Sequence, residues 1–333
     1  MGTKPLTTRR LAALIAVSAG VMLAAGALAP LVGAAGVDYR RALAGLSPDH
    51  EILFFARLPR VLLALLAGGG LAVAGVLFQA LLRDALATPY TLGISTGASL
   101  GAVVAICLGW GGWGPLPGTW LSAFAGAGVV LIAVLAVATE GRRMSSFTLL
   151  LAGVTINSIC MAGIMFLQYL STFGQSFAIV RWLMGGIEAV DYSVLAWLAA
   201  VVAAVVGLLF WKSRDWNLLA VGEDWAAARG VSTARVMLTG YLAGSFLTGS
   251  ITSLTGPIGF VGLIVPHALR LRLGADHRVL IPCSFFWGAA FLAVCDTLSR
   301  TVLSPIEIPV GVTTAILGGP FFIYLLKSRS RAH

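Results

Sequence analysis

Charge is what this chain has least of. Of its 333 residues only 11% are Asp, Glu, Lys or Arg, against 59% hydrophobic, and the mean hydropathy is +0.95. A soluble domain carries about 25% charged residues, so a water-soluble globular fold is excluded and a membrane protein indicated. Lysine is scarcest: none of Lys4, Lys212 and Lys327 follows a glycine, so there is no G-x-x-x-x-G-K-[ST] phosphate loop. The chain therefore has no nucleotide site of this kind, and any ATP and Mg must sit on a partner subunit. The four histidines, His50, His267, His277 and His333, form no cluster with cysteine or carboxylates at metal-ligand spacing, so no metal and no cofactor is expected in this chain. Cys107, Cys160, Cys283 and Cys295 lie in apolar segments without C-x-x-C spacing and read as buried thiols rather than a disulfide framework. Basic residues outnumber acids by 22 to 13, but they are dispersed among loops, which argues against a nucleic-acid partner.

What is abundant is uncharged apolar sequence. A spanning helix needs about 20 mostly apolar residues, and charges are costly at the bilayer centre. Residues 11–37, 61–82, 192–211 and 308–326 each hold one span. Residues 85–139 hold two, divided at the loop GWGGWGPLPG (109–118). Residues 144–180 hold one and leave a short piece, 176–180, that runs into Arg181. The run 236–269 breaks at Thr255-Gly256-Pro257 into a full and a short span, and 279–295 completes a set of about ten. The expectation is an all-α polytopic membrane protein forming one transmembrane domain over 1–333.

The positive-inside rule sets its orientation. With both termini in the cytoplasm, 16 of the 22 basic residues fall inside, and only Arg40, Arg41, Arg57, Arg60, Arg181 and Arg300 fall outside. KPLTTRR and the apolar run ending in Ala27-Leu28-Ala29 look like a secretory signal. The run exceeds the roughly 7 to 15 residues of a signal core, so an uncleaved first helix is expected.

The stretch TLGISTGASLG (91–101) contains G-x-S-x-G twice, the spacing of a nucleophile elbow. An intramembrane serine protease would pair Ser95 or Ser99 with His267, yet its G-x-S-G motif fails here, because Thr96 follows Ser95 and Leu100 follows Ser99. The alternative is a packing seam in which Gly93, Ser95, Gly97, Ser99 and Gly101 let helix backbones approach closely beside a transport path. Asp296 is the only acid inside a span and has Arg300 four residues on, the spacing of a local ion pair. A proton relay through Asp296, as in an ion-coupled transporter, lacks a second buried titratable group. Gln79, Asn157 and Gln168 either line a path or bond across helices.

The longest polar stretch on the cytoplasmic side is KSRDWNLLAVGEDWAAARGVSTAR (212–235). Leu218 and Leu219 precede Gly222, and Glu223 and Asp224 open an alanine-rich piece containing Ala227 and ending at Gly230. This reads as two short helices joined at a glycine, with the acids at the second helix's N-terminus where the dipole favours them. Two roles fit: a platform for an ATPase subunit, or a solvated connector.

Six blocks in order then show a resemblance: RLPR (57–60) with LAVAGVLFQALLRDALATPYTLGISTGASLGA (71–102), GEDWAAARGVS (222–232), GPIGFVGLIVPHALR (256–270), ADHRVLIP (275–282), DTLSR (296–300) and EIPVGVTTAILGGPFFIYLL (307–326). Over nearly its whole length the chain resembles the FecCD-type permease family, which imports iron-siderophores, haem and vitamin B12 through ABC transporters. The resemblance implies a type II importer permease fold of ten helices in the bacterial cytoplasmic (inner) membrane. It implies a second permease copy or a related permease, two ATPase subunits below, and a periplasmic or lipoprotein substrate-binding protein above. Residues at about 214–232 would be the coupling helices, with Leu218, Leu219, Gly222, Glu223, Asp224, Ala227 and Gly230 at the ATPase contact. Arg57, Arg60 and Arg300 would receive carboxylates of the binding protein, since arginine's planar fork suits a carboxylate; headgroup anchoring is the other reading of Arg57 and Arg60. An iron complex, a ferric siderophore first, is the expected cargo, with haem and vitamin B12 open. Two departures stand out: Asp84-Ala85 replaces the usual Asn-Pro, with a looser turn expected, and Arg229-Gly230 replaces Leu-Gly.

Overall fold

The computed structural model describes residues 7–33, 35–113, 116–140 and 143–330. Lys4, His333 and, from the 109–118 loop, Gly114 and Pro115 lie outside the described residues. The chain is helical from α1 (Thr8–Leu28) onward. Short turns α2 (Tyr39–Leu43) and α3 (Asp49–Glu51) and a wider, π-type stretch (Ile52–Arg57) lead into α4 (Leu58–Leu81). Then come α5 (Ile94–Leu108), α6 (Gly118–Ala138), α7 (Ser146–Leu170), α8 (Phe173–Leu183), α9 (Tyr192–Trp211), α10 (Ser213–Val221) and α11 (Glu223–Ala228). The last four are α12 (Thr233–Thr255), α13 (Val261–Leu273), α14 (His277–Thr301) and α15 (Val310–Ser330). The strand pairs are two-residue ribbons, Gly112–Trp113 with Leu116–Pro117 and Thr139–Glu140 with Arg143–Met144.

Among the described residues six helical stretches are long and apolar enough to cross a membrane: Thr8–Leu31, Asp49–Leu81, Gly118–Ala138, Ser146–Leu170, Tyr192–Trp211 and His277–Thr301. Ile94–Leu108 and Val310–Tyr324 are shorter apolar helices. Together with α12 and α13 they make ten, the number expected from the charge-free runs. α12 and α13 fall short for different reasons. α12 is diluted by hydroxyl residues, among them Ser250 and Thr255, which donate to the carbonyls of Phe246 and Ile251 four residues back. α13 has only 13 residues. The break between them falls at Gly256, whose φ of 64° ends α12 where an L side chain is strained.

The fold is organised around α4. Its long apolar stretch is 83% buried, against 6% for that of α1, so α4 is a core element and α1 a peripheral one. It packs against α14, α12, α13 and α9. Lipid tails are as apolar as leucine, so helices in a membrane gain contact by removing side chains that keep backbones apart. A Cβ on Gly75 would overlap the Gly262 carbonyl of α13, and one on Gly68 the Gly288 carbonyl of α14. Gln79 closes the same seam with polar bonds, donating to Gly262 O at 3.3 Å and accepting from Arg270 at 2.7 Å. Of its two readings, bonding across helices is the one observed.

The TLGISTGASLG stretch forms the start of α5 after a turn at Gly93, whose φ is 76°. A Cβ on Gly97 or Gly101 would run into α6, at Val130 and at the Ser122 carbonyl. Ser99 donates to Ser95 O at 2.9 Å, and Thr96 to Asn157 of α7. His267 sits on α13 edge-on to Phe322 of α15, 5.6 Å between ring centroids. The short piece after α7 is longer than expected, because Thr172 and Gln175 form a reciprocal cap that starts α8 at Phe173. Gln175 also donates to Cys107 O at 2.9 Å, tying α8 to the end of α5. Asp84 supports the turn after α4 by accepting from Leu86 N at 2.9 Å. The replacement of Asn-Pro therefore keeps a side-chain brace, in place of the looser turn expected.

Candidate functional site

Polar side chains gather at the two ends of the bundle. One end holds α10 and α11, the two short helices expected on either side of Gly222. Trp216 is buried and donates from Nε1 to Leu209 O at 3.0 Å, which folds α10 back on α9. The Asn217 amide donates to Asp276 Oδ1 at 2.9 Å and accepts from His277 N at 2.8 Å, joining α10 to the start of α14. Asp276 also accepts from the Arg278 backbone and guanidinium. Its burial pushes the carboxyl up, but the hydrogen bonds from Arg278 and Asn217 outweigh that and hold it at about 2. Glu223 accepts from Arg83 at 3.0 Å and from Ser146 Oγ at 2.9 Å, and the Ser146 hydroxyl lies 2.7 Å from the Leu81 carbonyl at the end of α4.

The expected coupling residues thus divide by direction. Leu219 is buried against the bundle, Leu218 and Gly222 are half-buried, and Glu223 is turned toward α4 and α7. Asp224, Ala227 and Gly230 are exposed, and Gly230 has φ of 82°, a left-handed position that favours glycine. Val221, at the end of the apolar run before Gly222, is 70% exposed, and one further exposed apolar side chain was not singled out by the sequence: Trp225, 58% exposed with the Arg229 guanidinium 4.9 Å from its ring centre. A tryptophan following two acids carries no outward signal in one sequence. The contact with Arg229 also gives the unusual arginine a partner.

At the opposite end the three expected docking arginines meet different surroundings. Arg57 is buried, donating to Pro30 O at 3.1 Å and to the Ala35 carbonyl. Arg300 is buried and lies 3.3 to 3.4 Å from the carbonyls of Val32 and Ala29. These two guanidinium groups bond to four carbonyls of the linker after α1, of which Ala29 O also accepts from Val32 N. Both side chains therefore face inward in this structure. The ion pair expected within α14 is present, with Arg300 Nε 3.1 Å from Asp296 Oδ2 in an orientation that makes it electrostatic rather than hydrogen-bonded. Asp296, wholly buried, also takes Arg60 at 3.0 Å, a partner 236 residues away that i,i+4 reasoning cannot supply. Arg60 alone of the three opens on a cavity of about 440 Å³. Trp120, Trp182, Arg181, Glu188 and Glu307 line it as well; Arg60 pairs with Glu307 at 2.8 Å, and Arg181 with Glu188 at 2.6 Å. Among the described residues no three His, Cys, Asp or Glu side chains converge as metal ligands.

The model of the FecCD transport family matches residues 13–328. The vitamin B12 import system permease protein BtuC of Klebsiella pneumoniae is 41% identical over 276 residues, 83% of this chain and 82% of that protein. The hemin transport system permease protein HmuU of Yersinia pestis is 38% identical over 274 residues, 81% of each. A solved inward-facing structure of a metal-chelate type ABC transporter superposes with a TM-score of 0.83 at 28% identity, covering 95% of this chain and 99% of that one.

Proposed function

We propose, from the premise that this chain belongs to the FecCD transport family, that it passes a ferric siderophore from a substrate-binding protein to the cytoplasm. The coarser statement is not at issue: the chain is the membrane-spanning permease of an ATP-binding-cassette importer and not itself an enzyme. The observation that carries the proposal is the separation of two partner-facing surfaces by the buried rod α4. At one end α10 and α11 expose Val221, Trp225 and Ala227 while being pinned to the bundle through Asn217 and Glu223. At the other, Arg60 reaches a cavity whose lining mixes Arg181, Glu188 and Glu307 with apolar side chains.

In this reading the α10–α11 end is cytoplasmic, as are both termini, in keeping with the distribution of basic residues. ATPase subunits bind there, one to each copy of a permease pair. The binding protein docks over the Arg60 cavity, and cargo moves along the interface between the two permeases, beside the glycine-rich start of α5. The named relatives handle vitamin B12 and hemin, and the superposed transporter is of metal-chelate type, so a bulky metal chelate is the shared cargo chemistry. The siderophore assignment rests on ATPYTLGIS (87–95), a form of the motif common in siderophore permeases.

The test is uptake into proteoliposomes holding the permease, its ATPase and its binding protein. ATP-dependent accumulation of an iron-55 siderophore above that of hemin or cyanocobalamin supports the assignment; preference for either of the others replaces it. Uptake undiminished in a Glu223→Lys/Asp224→Lys variant would remove the coupling role from α11. Unchanged binding-protein affinity at low salt in Arg60→Glu would remove docking from Arg60.

A further inference from the structure

α1, α13, α14 and α15 enclose a second cavity, a groove of about 730 Å³ on the flank of the bundle, running toward the end that holds α10 and α11. Ser18 and Trp287 tie α1 to α14 in its lining: Trp287 Nε1 donates to Ser18 Oγ at 3.2 Å, and Ser18 donates to Leu14 O at 2.8 Å. The rest of the wall is apolar, with Val17, Leu269, Phe291, Leu317 and Phe321 among its side chains. The apolar stretch of α1 is the least buried of the six spanning stretches, so this flank faces the bilayer. Walls of this kind hold no water, and an empty gap at membrane depth forfeits dispersion contacts. A hydrocarbon chain is the filling that suits them.

The mouth of the groove is positive. Arg272 is the one charged residue in its lining, it is exposed, and its guanidinium has no ion pair or hydrogen bond among the described residues. Arg270, two residues earlier on the same helix, is by contrast taken up by Gln79. Arg10 lies four residues before Leu14 on α1, and Lys327 three residues after Tyr324 on α15, each one turn beyond a lining residue and exposed. α1, α13 and α15 contain no Asp or Glu. Asp276, just before α14, is already held by Arg278 and Asn217.

We propose that this groove binds one anionic phospholipid, with an acyl chain between α1 and α15 and the phosphate on Arg272, flanked by Arg10 and Lys327. Basic pockets between membrane helices recognise anionic headgroups in this way, and long basic side chains extend to headgroup level. The lipid ties the peripheral α1 to α13 and α15. In the orientation given above it belongs to the cytoplasmic leaflet; the site itself depends only on the chain spanning a bilayer, not on the cargo.

The test uses full-length permease stripped of lipid in detergent, titrated with phosphatidylglycerol or phosphatidylcholine and read by native mass spectrometry. One phosphatidylglycerol per permease is expected to bind about fivefold or more tightly than phosphatidylcholine. Arg272→Gln is expected to weaken phosphatidylglycerol about fivefold, the worth of one basic residue near a charged headgroup, with phosphatidylcholine unchanged. Phosphatidylglycerol with brominated tails should quench the tryptophan emission that Trp287→Phe removes. Equal affinity for the two lipids, or an undiminished preference in Arg272→Gln, overturns the headgroup site. Unquenched Trp287 overturns the placement of the tail, and if the stripped permease is then dimeric, the groove is covered by a second copy instead. None of these readings uses transport, so a wrong cargo assignment leaves them untouched.

Discussion

Asn217 joins α10 to α14 by giving its amide to Asp276 Oδ1 at 2.9 Å and taking the His277 backbone amide at 2.8 Å. A single side chain thus satisfies a helix start and anchors α10, the helix proposed to meet the ATPase. Asn217→Ala removes both bonds at the half-buried junction. The expected outcome is an intact complex whose ATP hydrolysis continues while substrate moved per ATP falls several-fold, measured by parallel hydrolysis and uptake assays in proteoliposomes.

The same junction has an acid limit. Asp276 has an ordinary value near 3.8 and is held at about 2 in the folded chain. A depressed carboxyl stabilises the fold above its unfolded value and loses that contribution as pH falls through the folded one. Stability attributable to Asp276 is therefore complete above about pH 4 and lost toward pH 2. Thermal denaturation of the purified permease across this window should show a pH-dependent component that Asp276→Asn lacks.

Trp225 is a large apolar side chain left 58% exposed on α11. Buried tryptophans at interface centres cost about 2 kcal/mol or more on truncation, which is roughly 30-fold in affinity. Trp225→Ala should weaken ATPase association by about that factor, read by titration of ATPase into nanodisc-held permease, without changing the permease's own unfolding midpoint.

Gly75→Ala should destabilise the bundle. The added methyl overlaps the Gly262 carbonyl, and backbone cannot step aside as a flexible side chain does. Overpacking of this kind costs about 1–3 kcal/mol. The control is Gly20→Ala on α1, where nothing lies within 4 Å, so its unfolding midpoint should match or exceed that of the unmodified chain.

Helix number was legible because span length and charge cost are local properties. The break at Thr255-Gly256-Pro257, the loop 109–118 and the pair of short helices at Gly222 all follow from glycine, proline and charge placement along the chain. Direction was not legible. Whether Leu219 or Val221, Glu223 or Asp224 faces outward depends on where α4 and α7 lie, and these are distant in sequence. The same holds for Arg57 and Arg300: the six arginines that a charge count sets apart look alike in it, and the linker carbonyls at 29–35 separate the inward pair from Arg60. Asp296 shows both sides, since its partner at i+4 could be read and its partner at Arg60 could not.

α4 has 24 residues, about 36 Å at 1.5 Å per residue. Its first turn carries Arg60, and the carbonyl of its last residue, Leu81, meets Ser146, which also holds Glu223. Enclosed along its length, the helix has little room to bend and no lipid to relax into. One continuous backbone thus joins the Arg60 cavity at one end of the bundle to the Ser146–Glu223 contact at the other.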